Sequence, residues 1–279
     1  MRKFLCFATL LSVALTSFAQ SGTNSPYSQY GLGQLSEQSG GFNRGMNGLA
    51  LGFHEHNQVN HLNPASYSEI DSLTFIFDVG MSGQVTNFKE GGKKLNANNA
   101  DFEYAVAAFR AFRHLGVSFG ILPYTNVGYN YSQTVELNDG NKTVATNTYS
   151  GTGGIHLVYL GAGWQPLRGL SIGANVGYLW GGYTRTVVNS YSDSYANSLV
   201  KRYTADVRNY KLDFGLQYTA KLSKKDELTI GLSYSLGHEI GGEPLLEIVS
   251  QNTQTGVADT TSSANSGNKL QLEIPHSYG

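Results

Sequence analysis

The residues best suited to hold a ligand are His54, Glu55 and His56, with His61 close behind. Two histidines at i, i+2 can share one zinc ion only from a strand or loop, with Glu55 and His61 folding back onto it. The helical pattern HExxH is excluded, because Gln58 stands where its second histidine belongs. The reading adopted is a polar loop facing water and a wall, with no metal. No serine, histidine and acid stand out in the order of a nucleophilic triad. The expectation is therefore no enzyme and no cofactor.

A second kind of chemistry lies in the backbone. Pro123 interrupts the alternating run Val117-Ser118-Phe119-Gly120-Ile121-Leu122-Pro123-Tyr124, and Gly128 follows between Val127 and Tyr129. Proline has no N–H to give to a ladder, and an unsatisfied backbone group in lipid costs several kcal/mol. Either the facing carbonyl finds water or the strand bulges. Pro123, Tyr124, Asn126 and Gly128 are thus candidates for one edge of a lateral exit, with Asn126 as a polar atom at the gap and Tyr124 as its lip. The alternative is a proline at the membrane rim.

Strands must position these residues. From Leu73 onward apolar residues alternate with small or polar ones. Leu170, Ile172, Ala174, Val176, Tyr178 and Trp180 form one such series, and Tyr210 to Tyr218 and Leu228 to Leu236 form others. Period two means strands with two distinct faces. About eight strands are expected, near 73–87, 101–112, 115–136, 142–165, 169–190, 200–221, 227–248 and one starting near 269. Short turns (113–116, 166–169, 223–226) alternate with longer polar connections (87–100, 191–199, 250–268), and Asn138-Asp139-Gly140-Asn141 is a short hairpin exception. Outer-membrane barrels are built this way, with short turns on the periplasmic side and long loops outside. Tyr129, Tyr131, Trp164, Tyr178, Trp180 and Tyr183 suit interfacial girdles or a pore lining.

Composition agrees. Charged residues are only 14% of the chain, against roughly 25% in average soluble domains, while Gly (34), Tyr (18) and Phe (13) are abundant. A formal charge of −1 gives no basic surface, so no nucleic acid is expected. Arg2 and Lys3, the apolar stretch Phe4–Leu15 and Ser17-Phe18-Ala19 read as a leader cleaved before Gln20. Cleavage takes Lys+Arg from 19 to 17 against 20 acids, giving −3, and removes Cys6, the one cysteine. An exported, cysteine-free chain fits a bacterial outer membrane.

The chain therefore divides into a leader (1–19), a Gly-, Asn- and Ser-rich block (20–71) without periodicity, and strands (72–279). The block cannot bury enough apolar surface to order alone. An eight-strand barrel has no room for it, so the expectation is an all-β transmembrane antiparallel barrel with an N-terminal hatch, its strands the first part of a longer chain.

The order Gly-Leu-Gly (31–33), Arg44-Gly45, Gly48, Asn60 and Asn63-Pro64-Ala65 just before the first strand resembles the FadL/TodX family of outer-membrane transporters for long-chain fatty acids and other hydrophobic compounds. The resemblance implies a barrel of about fourteen strands. It implies a hatch marked by Arg44, Gly45, Asn60, Asn63, Pro64 and Ala65, and a kink in the third strand that opens sideways to the membrane. It also implies passive uptake of a long-chain fatty acid or other hydrophobic small molecule, with the lipid bilayer as surroundings. Ser25-Pro26-Tyr27-Ser28-Gln29-Tyr30 departs from the pattern. The alternative function is a secretion-associated, PorV-like barrel with an envelope protein as partner.

Overall fold

The computed structural model describes residues 23–90, 92–138, 142–193, 195–223, 225–241, 245–252, 254–265 and 272–279. The expected leader, residues 139–141 of the hairpin turn and the first residues of the strand expected near 269 lie outside the described residues.

A two-residue strand β1 (Gln34–Leu35), a short helix α1 (Gly41–Gly45) and a 3₁₀ turn (Pro64–Glu69) precede the long strands. These are β2 (Phe75–Glu90), β3 (Lys93–Phe112), β4 (Leu115–Glu136), β5 (Val144–Leu167), β6 (Leu170–Tyr191) and β7 (Ser198–Lys221), paired antiparallel in sequence order. β7 then carries two shorter strands end to end. β8 (Glu227–Ser235) pairs along Lys221–Asp213, and β10 (Leu245–Gln251) pairs along Thr204–Ser198. Between them β9 (His238–Glu239) turns away to β12 (Glu273–Ile274), while β11 (Ala258–Asn265) lies on β10 and β13 (Ser277–Tyr278) on β8. The sheet is open. Among the described residues β2 pairs with β3 alone and β11 with β10 alone.

The strand bounds correct the sequence in two places. The seventh expected strand, 227–248, breaks after Ser235. Opposite the break the Asn209 side chain donates to the carbonyls of Glu239 (3.3 Å) and Ile240 (2.7 Å), taking over from the ladder. The connections expected at 87–100 and 250–268 are largely strand, with pairing running out to Glu90↔Lys93 and Gln251↔Ala258. There both faces turn polar, so alternation disappears from the sequence while the backbone ladder continues.

The apolar residues of the alternation point outward. Phe119, Leu160 and Val176 form one row across β4–β6, and Ile172, Leu216 and Leu232 another across β6–β8; all six are exposed. Aromatic residues flank the band, with Trp164 and Tyr218 at the short-turn end and Tyr178, Tyr210 and Tyr234 at the other. Tyr183 is buried on the inner face, and the rings of Tyr129 and Tyr131 lie tilted to each other at 6.0 Å. The buried core lies between the inner face and residues 23–71. Val59, Tyr67 and Ile70 pack there on Tyr104, Val106, Leu122, Ile155, Tyr159, Leu179 and Val207.

Candidate functional site

Asn63 caps the 3₁₀ turn that ends the N-terminal segment. Its Oδ1 accepts from the Ala65 N–H at 3.2 Å. Its Nδ2 donates to the Leu51 carbonyl at 2.6 Å and, at 3.4 Å each, to the carbonyls of Leu216 on β7 and Leu232 on β8. Asn60 donates to Ala50 O (2.6 Å) and Phe53 O (2.9 Å), folding the preceding loop. Asn60, Asn63, Pro64 and Ala65 are all buried.

The wall receives this turn on bare backbone. Gly116, Gly163, Gly173 and Gly215 stand in register across β4–β7. A methyl group on any of them would overlap backbone or Asn63 within residues 63–67. Around this row side chains tie the turn down. The Tyr67 hydroxyl donates to Asn175 Oδ1 (3.2 Å), and Asn175 Nδ2 to His61 O (3.0 Å). Ser68 Oγ donates to Ser171 Oγ (2.9 Å), and Gln217 Nε2 to Leu51 O (2.8 Å). The sequence analysis missed this row. Its signal was available: glycines recur on the polar face beside the short turns, where strand propensity disfavours them.

Further along the wall, β3 and β4 part company. Their pairing ends at Ala105↔Ile121. Each strand carries an extra residue at that level, Glu103 on β3 opposite Gly80/Met81 and Tyr124 on β4 opposite His156/Ile155. Such bulges bend a strand and terminate pairing. The parity of β4 changes there too. Val117, Phe119 and Ile121 alternate outward below the bulge, while Val127 is buried above it and the alternate positions are Asn126, Gly128, Asn130 and Ser132.

The N-terminal segment fills the base of this fork. β1 pairs with β4 (Gln34↔Asn126, Leu35↔Thr125) on the side β3 has left. The Ser36 N–H donates to Tyr124 O (3.0 Å), and Gln38 Nε2 to Pro123 O (3.1 Å). Asn126 Nδ2 donates to Ser36 Oγ (3.1 Å) and to Asp101 Oδ2 of β3 (3.4 Å). Ser28 Oγ accepts from the Gly128 N–H at 3.1 Å. On the β3 side, Arg44 from α1 binds Glu103 at 2.8 Å. Its guanidinium also donates to the carbonyls of Ser39 (3.1 Å) and Glu37 (3.3 Å). Ser39 in turn donates its hydroxyl to Glu37 Oε1 (2.6 Å), which holds that carboxyl below its usual range.

The structure thus brings Arg44 together with Pro123, Tyr124, Asn126 and Gly128 at one fork. Asn60, Asn63, Pro64 and Ala65 lie apart, on the glycine row. Gly45 ends α1 with open space beside it. The histidines separate: His56 lies against Glu55 (3.5 Å) and Asp71 (3.9 Å), whereas His61 is buried between the rings of Tyr104 and Tyr159. Burial pushes the His61 imidazole down to about 4, so it is neutral at pH 7.

No curated protein and no solved structure matches the chain. A family model does match, and it corrects the expected membership in the FadL/TodX family, because it describes a different family. The physical reason is visible in the contacts. Asn63, Pro64 and Ala65, which carried much of the resemblance, are what a turn needs to lie on the bare backbone of the glycine row, a packing requirement that is not specific to one family. The match spans residues 1–279, and the chain belongs to the BamG family.

Proposed function

We propose that the chain is an outer-membrane β-barrel protein that works by holding another envelope protein. The carrying observation is the arrangement of faces. An apolar band points outward, while the interior is occupied by a hydrogen-bonded polar segment of the chain itself. The run Leu170–Trp180 has the length a tilted strand needs to cross the hydrocarbon, roughly 9–11 residues. Lipid explains the exposed band, since such a surface in water would drive association. Open edges are untenable in lipid, so in the membrane the edges of β2 and β11 must be covered.

Membership in the BamG family supports an envelope protein as partner. The strands also continue past the apolar band into polar, two-faced ends, which gives the protein a surface outside the bilayer on which a partner can sit.

Affinity purification from the native outer membrane, after cross-linking in cells, tests the reading. One envelope protein should co-purify in fixed ratio. A lone barrel carrying a fatty acid would overturn it in favour of hydrophobic transport.

A further inference from the structure

We infer that the inner face of β4–β7, between the N-terminal segment and the long connections, is a binding site for an acidic oligosaccharide. The inference is independent of the protein-partner reading, because it concerns a ligand of the interior.

Strand register gathers the residues. Past the β4 bulge, Tyr129, Gly151, Arg185 and Tyr203 stand side by side across the four strands. The next row holds Tyr131, Tyr149 and Lys201, and the row beyond it the amides of Asn147 and Asn189. This is the face that the N-terminal segment touches. The Tyr131 hydroxyl donates to Gln29 Oε1 (2.7 Å), and Arg185 Nη2 donates to Gly31 O (2.6 Å). The rings line up along it. Tyr131 stacks on Tyr149 at 5.1 Å, and the Arg185 guanidinium lies over the Tyr183 ring at 4.4 Å. Tyr129 lies against the bare backbone of Gly151, where a methyl group would overlap its ring.

The segment does not cover this surface. Tyr183 is buried beneath it, but Tyr129, Tyr131, Tyr149 and Tyr203 are only half-buried. Tyr30, between the two segment residues that Tyr131 and Arg185 hold, is 67% exposed, and Tyr27 is 82% exposed. Open aromatic faces edged by hydroxyls, amides and a guanidinium match a sugar ring, whose C–H face stacks while its hydroxyls take directed hydrogen bonds. An acyl chain would bury those polar groups without partners. The charge is one-sided. Across β4–β7 these rows carry Arg185 and Lys201 and no carboxylate, which selects an acidic group on the sugar. Among the described residues Arg185 makes one hydrogen bond, from Nη2, which leaves Nη1 for an anion. A guanidinium stacked on a ring is well suited to bind a carboxylate or phosphate.

Isothermal titration of the full-length protein in detergent tests the inference. The defined probes are hexagalacturonate, neutral maltohexaose and oleate. Hexagalacturonate should bind, maltohexaose should bind more weakly, and oleate should not displace hexagalacturonate. Tyr149→Ala removes a stacking ring and should weaken hexagalacturonate about tenfold. Lys201→Gln should erode the preference for the acidic probe over maltohexaose. Neither side chain has a contact with the N-terminal segment among the described residues, so both variants should keep the wild-type Tm. Should Tyr149→Ala not fold, Lys201→Gln decides. Two native fractions identify the source: oligosaccharide freed from lipopolysaccharide by mild acid, and glycans released from envelope proteins. Equal affinity for the acidic and neutral probes, unchanged affinity in folded Tyr149→Ala, or displacement by oleate overturns the inference. So does failure of hexagalacturonate and both native fractions to bind, an outcome that leaves the protein-partner reading intact.

Discussion

Arg44 and Glu103 meet at 2.8 Å across the base of the fork, joining the helix of the N-terminal segment to the bulged residue of β3. Ser82 on β2 also donates to Glu103, so the carboxylate is shared between the wall and the segment. Arg44→Ala removes the segment's ionic hold on β3 and leaves Glu103 half-satisfied. A hydrogen bond to a charged group contributes about 1.5–3 kcal/mol. Limited proteolysis in detergent should cut the variant between Gln34 and Gly45 well before wild type, with the strands intact.

The glycine row predicts a sharp contrast. Gly173→Ala places a methyl on the Pro64–Ala65 peptide, where only backbone could yield. The segment should lose its seat, which thermal melting would report as a large fall in Tm. Gly45→Ala, with open space around it, should leave Tm unchanged or raise it slightly, since alanine is favoured over glycine in a helix by up to about 1 kcal/mol.

Asn63→Asp keeps the acceptor for the Ala65 N–H but loses the donors to Leu51, Leu216 and Leu232. A carboxylate buried against three carbonyls is worse than no group at all. Asn63→Asp should therefore be more destabilising at pH 7 than Asn63→Ala, and the order is read from urea midpoints in detergent.

Protonation of His61 gives a pH signature. Its imidazole is held near 4 in the folded state, against about 6.5 unfolded. The unfolded chain therefore takes up the proton first as pH falls. The stability His61 contributes is complete above about 6.5 and is lost on the way down to 4, at most about 1.4 kcal/mol per pH unit. Protection of residues 28–61 from hydrogen exchange should decline over that window, and His61→Phe should flatten the decline.

Orientation is open to single-cysteine labelling in a Cys6→Ser background. A cysteine at Tyr195, in the connection after β6, should react with an impermeant maleimide on whole cells. One at Ser223, in the short turn after β7, should react only after lysis. The reverse pattern would invert the topology.

Alternation made the strands from 115 to 221 legible, because each must present different faces to two surroundings. It failed at 93–100 and 258–265, where polar residues occupy both alternating sets of positions and nothing in the sequence keeps a period of two. Pro123 correctly marked an irregularity, since a missing N–H must be accommodated somewhere. The fork was not legible: it needs a second bulge, at Glu103, and nothing in the run Ala100-Asp101-Phe102-Glu103-Tyr104 announces an extra residue. Nor was the pairing of Arg44 with Glu103, which depends on how a segment without periodicity turns inside the wall.

The bonds made by Asn63 also set an order of events in folding. Its carbonyl partners on β7 and β8 lie 153 and 169 residues later in the chain. The N-terminal segment is made first yet finds its seat last, after most of the wall is in place. Contacts this distant along the chain are the slow ones to form. A segment obliged to wait in water for them must resist both early collapse and self-association. The scarcity of apolar runs between Thr23 and Asp71 gives it that patience.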